Sequence, residues 1–276
     1  MVQAFPDVDS DELMIKKLTK ALKDAALTLS PRQGRYLVDA YYQLQENRKA
    51  TANQLRAAKK EGEPPNPAIE WIYDNMVTLE NQAKHVLGTF ARSQRAGRWM
   101  LSVHGVGPVL SAGFLAHLDI EKAPTAGSFW RFAGLDPTVT WEKGQKRPWN
   151  GPLKTLCWRF ANTQQKFQNM DGNCYGKWMA QYKAMLEERN EAGEFAEAAA
   201  RQLERHPQHA QRAIYEQGKL PPGHLEARAF RWGAKLFLSH LHHVLCECAG
   251  REPPKPWVIV YGGHTHMIEP PGWPCD

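Results

Sequence analysis

Residues 103–112 read Val103-His104-Gly105-Val106-Gly107-Pro108-Val109-Leu110-Ser111-Ala112, two glycines two apart among apolar residues, with a proline opening the next segment. The flanks, MLS before and GFLAHL after, are apolar enough to be buried, so packing on both sides holds a break of the chain in place. A helix, a tight hydrophobic-Gly-hydrophobic-Gly turn and a second helix make the pattern of a helix-hairpin-helix. The expected fold class is therefore mainly α: a long N-terminal helical hairpin over residues 1–95, joined to a helical domain over residues 96–276 that contains this corner.

Helix signals continue in both directions. Asp9 or Ser10 can cap a helix carrying Leu13, Ile15, Leu18, Leu22 and Leu27. Ser30-Pro31-Arg32-Gln33 is a cap, a proline at the first helical position and a glutamine three residues on, with Leu37, Tyr41, Leu44 and Leu55 beyond it. Asn66-Pro67 repeats the device ahead of an apolar stripe through Ile69, Ile72, Tyr73, Met76, Leu79, Val86, Leu87 and Phe90. These signals predict two long antiparallel helices. The polar stretch over residues 45–61 is expected to project into solvent or toward a partner, with pairing of two copies through these helices as the partner reading.

Beyond the corner, a short helix is expected at residues 129–135 (FWRFAGL), an irregular basic loop at residues 141–152, and helices at residues 153–170, 175–190, 194–204 and 223–249. The β-branched and aromatic run in the tail, residues 257–261, reads as one short strand or an extended arm.

Composition narrows the class. The 276 residues are 42% hydrophobic, enough for a core without staples, and 35 Lys and Arg against 29 Asp and Glu leave a formal charge of +6 that suits an anionic partner. Cys157, Cys174, Cys246, Cys248 and Cys275 are an odd set with no secretory leader ahead of them, which points to reduced thiols and a cytoplasmic protein. No apolar run approaches the roughly 20 residues needed to span a bilayer. No membrane partner and no cofactor are expected.

The paired glycines carry the first functional expectation. Without side chains, Gly105 and Gly107 let the backbone come close to a ligand, and amides there and at the start of the next helix can point at a phosphate oxygen. His104 and Val106 complete that turn; the competing reading is a corner that only packs two helices tightly. A second candidate surface is the loop bearing Lys143, Lys146, Arg147 and Trp149, with Lys154 and Arg159 on the adjoining helix: cations for phosphates and an indole that can stack on an unpaired base. Arg228, Arg231 and Lys235 fall at i, i+3 and i+7 and read as a solvated stripe. His240, His243, His264 and His266 are the metal candidates, set against helix histidines satisfied by neighbouring carbonyls, because no CxxC pair accompanies them.

From residue 100 to 154 the sequence runs MLSVHGVGPVLSAGFLAHLDIEKAPTAGSFWRFAGLDPTVTWEKGQKRPWNGPLK. Gly105, Gly107, Pro108, Ala112, Leu115, Leu118, Asp119, Ile120, Ser128, Phe132, Gly134, Leu135, Pro137, Gly144, Lys146 and Arg147 fit a pattern that resembles the C-terminal transposase domain of the bridge-RNA-guided insertion-sequence recombinases. The likeness covers about a fifth of the chain. It implies a DNA-handling protein of a mobile element or phage. Two departures stand out: the first hundred residues show no β/α alternation that could form the family's RuvC-like half, and the loop that should carry its nucleophilic serine is TVTWEKG. Thr138 and Thr140 are the hydroxyls left there, and a threonine needs a base beside it. The resemblance so altered implies binding of DNA, or of RNA, without independent catalysis. The alternatives are a transposase or recombinase acting in strand transfer, and a protein-interaction or inhibitor module.

Overall fold

The computed structural model describes Ile15, residues 17–263 and residues 265–275. Among these residues the chain is mainly helical and has no strand. The expected cap at Asp9 or Ser10 lies outside them; the first described helix, α1 (Lys20–Ala25), starts from Thr19, whose hydroxyl accepts from the Leu22 amide.

Helix α2 (Pro31–Lys60) begins with the reciprocal capping of Ser30 and Gln33, and α3 (Pro67–Ser93) with Asn66 accepting from the Ala68 amide. They pack antiparallel. Gly34 faces Phe90, Arg48 pairs with Glu80 and Thr51 meets Met76, so the partner's number falls as the chain advances. Only the root of this pair is fully buried: α2 contributes Gly34, Val38 and Tyr41, and no residue of 45–61 is more than half-buried. The apolar stripe of α3 is fully buried only from Glu80 onward, leaving Ile69, Trp71, Ile72 and Leu79 exposed.

At Gln94 the backbone turns extended and the helix restarts as α4 (Arg95–Ser102), a break that the sequence reading does not anticipate. After the glycine corner comes α5 (Pro108–His117), buried along nine of its ten residues. Next come α6 (Ala126–Phe132), which starts three residues before the expected segment, α7 (Gly151–Lys166), α8 (Cys174–Glu191), α9 (Ala196–Arg205), the unforeseen α10 (Arg212–Glu216) and α11 (Pro222–Cys248). The tail run forms one helical turn, α12 (Trp257–Val260), rather than a strand; it has no neighbouring strand to pair with among the described residues. Beyond it the irregular arm docks through Trp273, whose indole donates to Glu247, and through the Pro271 carbonyl, which accepts from Trp99.

Phe237 of α11 is the hub of the core. Its fully buried ring lies 4.2 Å from that of Phe160 (α7), 5.0 Å from Phe114 (α5), 5.7 Å from Tyr175 (α8) and 5.9 Å from Trp99 (α4). Burying one such ring contributes on the order of 2–3 kcal/mol. Val38, Tyr41, Leu87 and Phe90 of the N-terminal helices belong to this same core, which thus runs through the boundary expected near residue 95. Leu186, Phe195, Ala199, Tyr215, Leu220 and Leu225 make a separate small cluster under α9 and α10. No helix among the described residues is long and apolar enough to cross a membrane.

Candidate nucleic-acid interface

The corner between α4 and α5 uses its two glycines differently. Gly105 sits at φ +78°, and a Cβ there would lie 3.0 Å from Nε2 of Gln164 and 3.1 Å from the Thr163 methyl. That Gln164 amide donates to the His104 carbonyl at 2.9 Å. Gly105 therefore faces α7, and its need for glycine is local packing and backbone conformation, not the approach of a ligand. The Val106 amide is also spent internally, on the Val103 carbonyl at 3.0 Å. The His104 ring stands edge-on to Phe167, 6.1 Å between centroids. Of these three positions, only Val106 has its amide spent on a protein acceptor among the described residues.

Gly107 is open to its surroundings. It has nothing within 4 Å of a built Cβ, and α5 starts from it with no side-chain cap. Among the described residues the amides of Gly107, Val109 and Leu110 have no protein acceptor. Pro108 borders a shallow pocket of about 230 Å³ whose other walls, Asn81, Lys84, His85, Gly88 and Arg92, come from α3. Gly88 permits the close approach, since a Cβ there would stand 3.1 Å from the Arg92 guanidinium and 3.4 Å from the Pro108 ring. No carboxylate lines the pocket. Sequence reading missed Lys84, His85 and Arg92; the available signal was their recurrence over two turns of α3 away from its apolar stripe.

The basic loop is built around a half-buried indole. Trp149 lies against Gly134, which has φ +66° and whose Cβ would fall 2.6 Å from the ring. The Asn150 amide donates to the Phe132 carbonyl at 2.8 Å, and the Asn150 side chain then caps α7. Trp141 meets Trp149 edge-on, Arg147 lies over Trp141 at 5.3 Å, and the Lys154 ammonium lies over Trp149 at 4.4 Å. Arg147, Trp149, Lys154, Thr155 and Trp158, with Gly151, line a shallow groove of about 250 Å³. Lys143 and Lys146 are exposed on the loop's outer side. Arg159 is not part of this group: its guanidinium stacks on Tyr42 of α2 at 3.3 Å.

Of the stripe on α11, expected to be solvated, Arg231 is exposed, while Arg228 lies over the Phe195 ring at 4.5 Å and Lys235 over the Trp130 ring at 5.4 Å; only the charge of Arg231 acts on Lys154. Burial lowers the pKa of Lys154, and the positive charges of Arg231 and Arg147 lower it further. Burial, and after it Arg231, does the same to Lys235 and to Arg228. Opposing this are Asp136, which acts on Lys235, and the Tyr182 hydroxyl beside Arg228 and Arg231. Among the described residues none of Lys143, Lys146, Arg147, Lys154, Arg228, Arg231 and Lys235 forms a salt bridge, whereas cations elsewhere pair with Glu46, Glu80, Glu121, Glu191 and Glu194. Cations that form no salt bridge keep their charge available to a polyanion.

The corner and the loop are two surfaces, not one. Gly105 meets α7 at Thr163 and Gln164, near its C-terminal end, and Lys154 stands one turn from its start. Ten residues of helix separate them, about 15 Å.

Thr138 does have a carboxylate beside it: its hydroxyl donates to Asp136 at 2.7 Å, and its amide to the same oxygen at 2.9 Å. Those bonds, with Arg131 and Lys235 behind them, hold Asp136 below the ordinary carboxylate range and make it a poor base. Thr140 is exposed. His240 has both ring nitrogens occupied, by Tyr175 and by the Ile268 carbonyl, and His243 pairs with Glu247. His266 is exposed and His264 lies outside the described residues. Among the described residues no three His, Cys, Asp or Glu side chains gather as metal ligands would.

Comparison with protein-family models, with curated proteins and with solved structures finds no match for this chain.

Proposed function

We propose that this chain binds nucleic acid, DNA in the first place, through the phosphate backbone and without catalysis of its own. The observation that carries the reading is the groove on α7 lined by Arg147 and Lys154, with the charge of Arg231 also acting on Lys154 and none of the three in a salt bridge among the described residues. The open amides at Gly107, Val109 and Leu110, with Lys84 and Arg92 beside Pro108, supply a second place for a phosphate. Contacts of both kinds position a backbone and read little sequence. The likeness of residues 100–154 to a transposase domain supports the same reading and an origin in a mobile element or phage. Exposed Ile69, Trp71 and Ile72 on α3 favour pairing of two copies through the N-terminal helices, which light scattering would register as a doubled mass.

A gel-shift panel of single, double and branched strands at two salt concentrations tests the reading. Binding that weakens steeply with salt and differs little between sequences supports it. Failure on every strand type overturns it in favour of a protein-interaction module. A covalent protein-DNA product or new strand ends in the presence of magnesium would overturn the non-catalytic part in favour of a recombinase.

A further inference from the structure

The groove on α7 holds a feature that phosphate binding does not need. Trp158 is 57% exposed and stands four residues after Lys154, hence on the same helix face. Trp149, the other indole in the groove, has its ring committed: Gly134 closes it from one direction and Lys154 lies over it. Trp158 makes no ring contact, cation contact or hydrogen bond among the described residues. The groove thus offers one free aromatic face flanked by two cations, with no carboxylate in its lining. Its volume of about 250 Å³ is below the roughly 300–1,000 Å³ of sites for drug-sized ligands and suits a single flat ring system.

We infer that this groove seats one unpaired nucleotide, its base stacked on the Trp158 indole and its phosphates held by Arg147 and Lys154. Any base has a π face, so the seat selects for an unpaired base and not for its identity. The inference rests on the nucleic-acid reading above and deepens it: the preferred substrate is a strand with a bulge, gap or single-stranded end.

The test compares the full-length protein with its Trp158→Ala and Trp158→Phe variants on a perfect duplex and on the same duplex carrying one bulged 2-aminopurine. The wild type is expected to bind the bulged form about tenfold more tightly and to quench the 2-aminopurine fluorescence. In Trp158→Ala the ratio of the two affinities falls to about one and the quenching disappears, while Trp158→Phe restores most of the affinity ratio. The exposed position leaves the core untouched, and thermal melting checks that both variants stay folded. Equal affinity of the wild type for both substrates, or a preference that survives Trp158→Ala, overturns the seat while leaving backbone binding in place. Absence of binding to either substrate removes the nucleic-acid reading and the seat with it.

Discussion

The Tyr175 hydroxyl meets Nδ1 of His240 at 2.6 Å deep in the core, and Nε2 of the same ring lies 2.8 Å from the Ile268 carbonyl. A carbonyl can only accept, so Nε2 carries the proton and Nδ1 accepts from the phenol. One neutral imidazole thereby ties α8, α11 and the C-terminal arm together. A second ring proton would land on Nδ1, facing the hydroxyl that now donates to it.

This arrangement sets a pH dependence. Burial pushes His240 down to about 4, and His117 likewise, first through burial and then through Arg35. Between the ordinary histidine value of 6.5 and about 4 the unfolded chain takes up protons that the folded chain refuses. Stability is therefore complete above that window and declines as pH falls through it. Melting temperatures measured from pH 7 to pH 4 should drop, and His240→Gln should melt lower at pH 7 but with a shallower slope. An unchanged slope would show that His240 is not the group responsible.

The two glycines of the corner should separate folding from binding. Gly105→Ala forces a side chain into the left-handed region and against Gln164, and should cost about 1–2 kcal/mol in denaturant titration. Gly107→Asp enters an extended, open position where a carboxylate caps α5, so stability should stay level or rise by roughly a few tenths of a kcal/mol. The same carboxylate occupies the free amides and repels phosphate, so nucleic-acid affinity should fall severalfold. Unaltered affinity in Gly107→Asp would remove the α5 terminus from the interface.

Gly97→Ala tests the bend between α3 and α4. A Cβ at this position would lie 1.9 Å from the Ala91 carbonyl oxygen, a backbone atom that cannot step aside. The variant should lose about 4 kcal/mol or more, at the top of the range for single changes, or fail to accumulate as folded protein. A loss under about 1 kcal/mol would mean that the bend opens easily.

Gly97 also shows what the sequence could not reveal. The helices themselves are legible because their signals are local: caps at Ser30 and Asn66, prolines at first positions, and a 3.6-residue apolar period. The break at Gln94 is not local; it exists because α4 must fold back over the end of α3. The candidate site divides along the same line. The paired glycines and the cationic loop announce themselves within short windows, but Arg231 lies about eighty residues from Lys154 and acts on it only through the packing of α7 and α11 around Phe237. The opposite roles of Gly105 and Gly107 likewise depend on where α7 lies. Trp158 gives no local signal either, because a tryptophan at helical spacing reads as core until a structure shows its face bare.

The cation cluster implies a trade between stability and binding that a single substitution can expose. Lys154→Met keeps the aliphatic stem over Trp149 and removes one charge that Arg231 and Arg147 repel. Melting temperature should hold or rise slightly, because the folded state loses like-charge repulsion that the unfolded chain hardly feels. Affinity for duplex should fall by a similar factor for every sequence tried, and the slope of log K against log salt should shrink by about one. Arg231→Met should act in the same direction, and the two losses should add less than fully, since each removed charge relieves its neighbour. A variant that melts much earlier and binds as before would mean that these cations serve the fold alone, and the phosphate-binding face would then have to be sought at Lys84 and Arg92.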